Sequence, residues 1–146
     1  MLIEISTDGA CAPNPGTGGW AAVFRIPKKT KVIYGWEPAS TNARMEITAA
    51  IMALEHLSHG NSDLIIYCDS SYVVNGITSW IVKWKRNKYD GIKNPELWQR
   101  LDSATKRHKS IKWKLVKGHA THKDNILCDE FAVRARELRK SGEELL

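Results

Sequence analysis

Hydrophobic and polar positions alternate with a period of two at the start of the chain, where Ile3 and Ile5 lead to Asp8 and Gly9. The pattern predicts a strand that stops on a carboxylate beside a turn, at the sheet rim where ligands of α/β folds sit. Residues 13–19, dense in Pro and Gly, predict a hairpin loop. Residues 20–26 and 31–36 then read as the second and third strands of an antiparallel meander. From Met45 the period changes. Met45, Ala49, Met52, Ala53 and Leu57 follow helical spacing, with Thr41 or Asn42 as N-cap and residues 59–61 as the stop. Residues 63–68 predict a fourth strand that ends on Asp69. Its unbroken apolar run from Leu64 to Tyr67 suits burial on both faces. A strand, helix and strand of these lengths imply a right-handed crossover and a parallel fourth strand.

The second half reads as mostly helical. Ser70 caps a short helix through Val73 and Val74, and Thr78 can cap another carrying Trp80, Ile81 and Trp84. Asn94, Pro95 and Glu96 open a helix whose Leu97, Leu101 and Ala104 share a face. Residues 111–116 alternate as a fifth strand, and a final helix turns Cys128, Phe131, Ala132 and Ala135 inward. The expected organisation is a single domain over residues 1–140 and a frayed tail over 141–146.

Composition changes this picture little. The apolar fraction of 42% and charged fraction of 26% are ordinary for a globular chain. No apolar run approaches a membrane span and no charged-then-apolar leader opens the chain, so a cytoplasmic protein with no membrane association is expected. Cys11, Cys68 and Cys128 cannot all pair and lack CxxC spacing, which fits reduced thiols. Charge is more informative. Residues 1–76 carry 5 Lys/Arg against 7 Asp/Glu, whereas residues 77–146 carry 17 against 9. An excess confined to one half is the footprint of a polyanionic partner, or else an ordinary solvated basic surface.

The candidate chemistry lies in carboxylates. Asp8 and Asp69 end strands that run parallel, Glu46 falls in the first turn of the first helix, and Asp129 lies near the start of the last. Singly, these acids read as a turn former, a partner for a helix dipole and a surface charge. As a set facing one spot they would repel each other unless divalent cations neutralised them, and Mg²⁺ prefers a few carboxylates with waters and phosphates. A zinc site from His119, His122 and Cys128 lacks a fourth ligand and regular spacing.

Several motifs together resemble bacterial ribonuclease HI. They are Thr7-Asp8-Gly9, Asn14-Pro15-Gly16, Thr41-Asn42 with Arg44-Met45-Glu46, Asp69-Ser70 with Tyr72-Val73, Trp98-Gln99-Arg100-Leu101, Val116-Lys117-Gly118-His119-Ala120, and Asn125 with Cys128-Asp129-Glu130. The matches run in order over nearly the whole chain. The resemblance implies a ribonuclease H-like α/β fold: a five-stranded mixed sheet, its first three strands antiparallel, with helices on both faces. It implies an endonuclease that cuts the RNA strand of RNA–DNA hybrids and leaves 5′-phosphate and 3′-hydroxyl ends. It assigns two Mg²⁺ ions, with Mn²⁺ as a substitute, to Asp8, Glu46, Asp69 and Asp129. Asp8 bridges the ions, Asp129 completes the nucleophile side, and Glu46 with Asp69 completes the leaving-group side. His119, on a loop beside them, is expected to move a proton or help product leave. A monomer without an obligate protein partner is expected.

The resemblance also implies the substrate contacts. The backbone of Gly9, Ala10 and Cys11, with Asn14, Asn42 and Glu46, reads RNA 2′-hydroxyls and neighbouring bases. Thr41 and Asn14 line a pocket for a DNA phosphate. Residues 80–89 interleave cations with aromatics, so Trp80, Trp84, Lys85, Arg86 and Lys88 are expected to hold the DNA strand, the Trp rings largely buried and the cations exposed. Three departures bear on affinity and site preference. Ala43 replaces a second Asn, Ser71 stands in the base-contacting position of a Gln, and the segment between Trp84 and Trp98 is shorter. Competing readings are a hybrid-binding module without catalysis and another nuclease of the same fold, such as a junction resolvase.

Overall fold

The computed structural model describes residues 1–58, 62–117 and 122–146. Among these, six strands form one sheet in the order β5-β4-β1-β2-β3-β6. The antiparallel meander is as expected, but its strands are longer than their periodic cores: β1 is Leu2–Cys11, β2 Gly16–Ile26 and β3 Lys29–Ser40. Glycine keeps both backbone hydrogen-bonding groups, so Gly18 and Gly19 pair with Cys11 and Ala10 and extend the ladder into the expected loop. Asp8 therefore sits inside β1, opposite Ala21. It still reaches a rim, because the parallel neighbour β4 (Asp63–Cys68) pairs with β1 only as far as Thr7. β5 (Ser110–Leu115) runs parallel to β4 at the far edge.

The tail departs from expectation and raises the strand count from five to six. Gly142–Leu145 form β6, antiparallel to β3 from Tyr34 down to Lys31. Leu146 N–H donates to Thr30 O at 2.7 Å, and Lys31 pairs with Glu143 at 3.1 Å. This strand rests on backbone pairing with the open edge of β3, and its side chains are exposed. It therefore leaves no alternating pattern to read.

Helices cover both faces. α1 (Asn42–His56) starts at the N-cap Thr41, whose Oγ1 accepts from Arg44 N–H at 3.1 Å. It buries Met45, Ile47, Thr48, Ala49, Ala50, Ile51, Ala53 and Leu54, more than one stripe, because it lies between the sheet and α4 (Pro95–Thr105). The core on that face joins Ile5, Phe24, Leu64 and Ile66 of the sheet to Trp98 and Leu101 of α4. On the opposite face α5 (Lys123–Leu138) lays Cys128, Phe131 and Ala132 on Ala21, Val23 and Val32. Because α5 packs on β1, β2 and β3, β4 keeps Ile65 and Tyr67 half-buried instead of covered on both faces. No helix among the described residues is long and apolar enough to cross a membrane.

Candidate active site

The four acids come from four separate parts of the chain and line one cleft of about 1080 Å³. Asp8 belongs to β1 and Asp69 follows β4. Glu46 falls in the second turn of α1, and Asp129 lies well inside α5 instead of near its start. Close packing of the helices on β1 and β2 makes this convergence possible. A Cβ at Gly9 would lie 2.5 Å from Met45 C and 2.6 Å from Glu46 N, so only glycine lets α1 approach β1 this closely. A Cβ at Gly19 would likewise collide with Ala132 O and lie 2.7 Å from Arg136 N, where α5 seats on β2.

Gly9 also has an electrostatic task. Its N–H donates to Asp8 Oδ1 at 2.9 Å and to Glu46 Oε1 at 3.2 Å. Burial first, then the charges of Asp8 and Asp69, pushes the Glu46 carboxyl well above the ordinary carboxylate range. Glu46 Oε2 is shut off from solvent and has no hydrogen-bond partner among the described residues. A Glu46 oxygen, an Asp69 oxygen and Cys68 Sγ lie within 4.8 Å of one another. Burial, then the charge of Glu46, pushes the Cys68 thiol up to about 12. A buried carboxylate oxygen without a donor, among other acids that raise its pKa, is what a bound divalent cation would relieve, so these residues fit Mg²⁺.

One wall of the cleft is built from backbone capping. Asn42 N–H donates to Asn14 Oδ1 at 3.1 Å, and Cys11 N–H donates to Asn42 Oδ1 at 2.8 Å. Asn14, Thr41 and Asn42 thus stand together on the wall, with Ala43 beside them. Arg44 ties this end of α1 to Glu96 at 2.9 Å and Glu37 at 3.5 Å. Ser70, Tyr72, Lys93 and Asn94 also line the cleft, with Asn94 Oδ1 3.5 Å from Arg44 Nη1. Lys93 and Asn94 join the lining beyond the residues expected there, placed by the helix start that Asn94 and Pro95 mark.

The residues expected to contact RNA have different surroundings. Gly9 lines the cleft, its N–H engaged by the carboxylates of Asp8 and Glu46 and the space beside its Cα filled by α1. Cys11 is buried, with its N–H taken by Asn42 and its thiol 3.3 Å from both Pro13 O and Gly16 O. Neither Ala10 nor Cys11 is among the lining residues, and Ser71 is exposed outside the cleft that its neighbours Ser70 and Tyr72 line. His119 lies outside the described residues. Cys128 Sγ points at Ser6 O (3.4 Å) and Ala21 O (3.1 Å), and His122 caps α5 through Asn125 N–H, so neither serves a zinc site.

The aromatic and basic segment leads away from the cleft. After α2 (Ser71–Asn75), Gly76–Trp80 make one turn of π-helix before α3 (Ile81–Arg86). The wider turn rotates the following face, so Ile81 points inward at 5% exposure while Trp80 is 45% exposed, contrary to the expected burial. Trp84 is half-buried. The rings form a series, Tyr72 to Trp98 at 5.2 Å, Trp98 to Trp84 at 4.9 Å and Trp84 to Trp80 at 6.1 Å. Lys83, Lys85, Arg86 and Lys88 are exposed as expected, with Lys85 paired to Asp102 at 3.1 Å.

The comparisons with known proteins agree with this architecture. The RNase H family model matches residues 2–137. A ribonuclease H of Bradyrhizobium sp. (strain ORS 278) is 51% identical over 136 residues, covering 90% of this chain and 87% of the relative. One from Bartonella bacilliformis is 46% identical over 147 residues, covering 97% and 94%. The crystal structure of LC9-RNase H1, described as a type 1 RNase H with the type 2 active-site motif, superposes with a TM-score of 0.87 at 26% identity. That match spans 99% of this chain and 76% of the other. Matched from its second residue to near the end of its last helix, the chain belongs to the ribonuclease H family.

Proposed function

We propose that the protein is an endonuclease that hydrolyses the RNA strand of RNA–DNA hybrids, with Asp8, Glu46, Asp69 and Asp129 holding two Mg²⁺ ions. The observation that carries this reading is the convergence of four acids from separate parts of the chain on one cleft, with the Glu46 carboxyl raised by burial and by its acidic neighbours. Bound there, the ions would supply Lewis-acid charge to the scissile phosphate and its attacking water, leaving 5′-phosphate and 3′-hydroxyl ends.

The chain's own residues do the rest. The Gly9 N–H fixes one oxygen each of Asp8 and Glu46, so the acid set is ordered before substrate arrives. Asn14 and Asn42, hydrogen-bonded to each other, and Thr41, fixed by Arg44 N–H at the start of α1, offer polar groups to the sugar–phosphate backbone. Lys93 adds a cation to the lining of the cleft. Arg86 and Lys88, exposed beyond α2, meet the DNA strand at its phosphates. His119 moves a proton as product leaves.

The test is cleavage of a labelled hybrid by wild type and Asp8→Asn, with Mg²⁺ and with EDTA. Wild type cleaves only with the ion, and Asp8→Asn loses several orders of magnitude in rate while its far-UV circular dichroism stays native. Near wild-type cleavage by Asp8→Asn would overturn the reading. Double-stranded RNA and branched DNA in the same assay separate it from other nucleases of the fold, and binding without cleavage would identify a non-catalytic hybrid-binding module.

A further inference from the structure

The three thiols of the chain are all buried, but they face different surroundings. Cys11 Sγ lies 3.3 Å from two backbone carbonyls and Cys128 Sγ lies 3.4 and 3.1 Å from two others. Cys68 Sγ makes a long contact of 3.9 Å with Ser70 O and takes a hydrogen bond from the Thr7 side chain. It sits within 4.8 Å of carboxylate oxygens of Glu46 and Asp69, the latter its neighbour in sequence. Glu46 supplies the second, independent observation: its Oε2 is shut off from solvent and lacks a hydrogen-bond partner among the described residues.

We infer that Cys68, Glu46 and Asp69 form a site for a thiophilic divalent cation of the Cd²⁺ or Zn²⁺ type, and that such a cation inhibits the enzyme. One sulfur and two carboxylate oxygens with one water complete the tetrahedral set such cations favour. Around one zinc, ligand atoms stand roughly 3.5 Å apart, so small side-chain rotations close the group. Mg²⁺ takes oxygen ligands and keeps its waters, so it leaves the sulfur alone. On binding the soft cation, the S–H bond breaks, its proton passes to bulk water and the sulfur lone pair forms the bond to the metal, without redox change. The ion enters through the cleft that Glu46 and Asp69 line and is held by the thiol beneath it.

The binding half of this inference stands on the geometry. The inhibitory half rests on the reading of Glu46 and Asp69 as Mg²⁺ ligands. The experiment separates them. Cd²⁺ is titrated into the metal-free full-length protein while the sulfur-to-cadmium charge-transfer band is followed in the ultraviolet. In parallel, hybrid cleavage in excess Mg²⁺ is measured against Cd²⁺, each rate divided by the same protein's rate without Cd²⁺. The band should saturate in wild type, Cys11→Ala and Cys128→Ala, and vanish in Cys68→Ala. Loss of even an outer-shell group costs metal sites about tenfold in affinity, so half-inhibition in Cys68→Ala should need at least about tenfold more Cd²⁺. If Cys68→Ala does not fold, Glu46→Gln keeps the thiol and should weaken the Cd²⁺ titration by a similar factor. A band that survives in Cys68→Ala, or one that disappears with Cys11 or Cys128 instead, would overturn the site. A Cys68-dependent band without inhibition would uphold the site and overturn the role given to Glu46 and Asp69 in holding Mg²⁺.

Discussion

Glu46 is a carboxylate that the surrounding fold penalises, and the penalty measures how far the site is built for something other than stability. Its pKa is raised by burial and by Asp8 and Asp69, so its charged form is disfavoured in the folded state. Glu46→Gln is therefore expected to abolish Mg²⁺-dependent cleavage while stabilising the metal-free protein by about 1 kcal/mol, read from urea unfolding in EDTA. The sign follows from linkage. A raised folded pKa means that the ionised group costs stability at neutral pH, so the advantage of Gln shrinks as pH falls and is gone below the unfolded value of about 4.3. At this scale the sequence was readable where a residue announces its own chemistry, as the four acids do. It was opaque where a residue matters through a distant partner. Gly9 signalled only a turn, because the α1 backbone that needs its missing Cβ lies far along the chain.

Among the elements, α5 carries Asp129 and must be held at its start. Asp124 does this by a two-fold pair with Arg25 of β2, at 2.8 and 2.6 Å. The Arg25 hydrogen bonds hold the Asp124 carboxyl below the usual range. Asp124→Asn should cost about 1–2 kcal/mol, a figure reduced for the 42% exposure of Arg25. A depressed folded pKa makes this contribution complete above the unfolded value of about 3.9 and lost as pH falls through the lower folded one. Urea midpoints of wild type and variant should thus differ by a constant amount from pH 5 to 7 and converge under more acid conditions, within the roughly 4-and-below window that the shift defines. Capping and periodicity made α1, α4 and α5 legible, since Thr41, Asn94 and the apolar spacing are local signals. The π-turn at Gly76–Trp80 was not, because both a π-turn and an α-turn are compatible with the same helical spacing, and only packing decides whether Trp80 or Ile81 faces inward.

For the molecule as a whole, the meander, the crossover and the parallel pairs follow from strand lengths and connections, and the structure has them. The sixth strand does not follow, because its stability comes from an edge that any extended backbone could use. Removing residues 142–146 should lower stability by about 1–3 kcal/mol and expose the β3 edge to self-pairing, seen as a lower urea midpoint together with concentration-dependent light scattering. A different consequence comes from the series of rings that runs outward from Tyr72. Among the described residues Trp80 is the one exposed indole of the chain's 6 tryptophans, and it lies at the basic end of that series. Hybrid docking on Arg86 and Lys88 would desolvate or stack Trp80 first, while Trp98 stays sealed in the core. The protein therefore carries its own optical gauge of occupancy: intrinsic emission should change with hybrid binding in wild type and lose most of that response in Trp80→Phe, without any added dye.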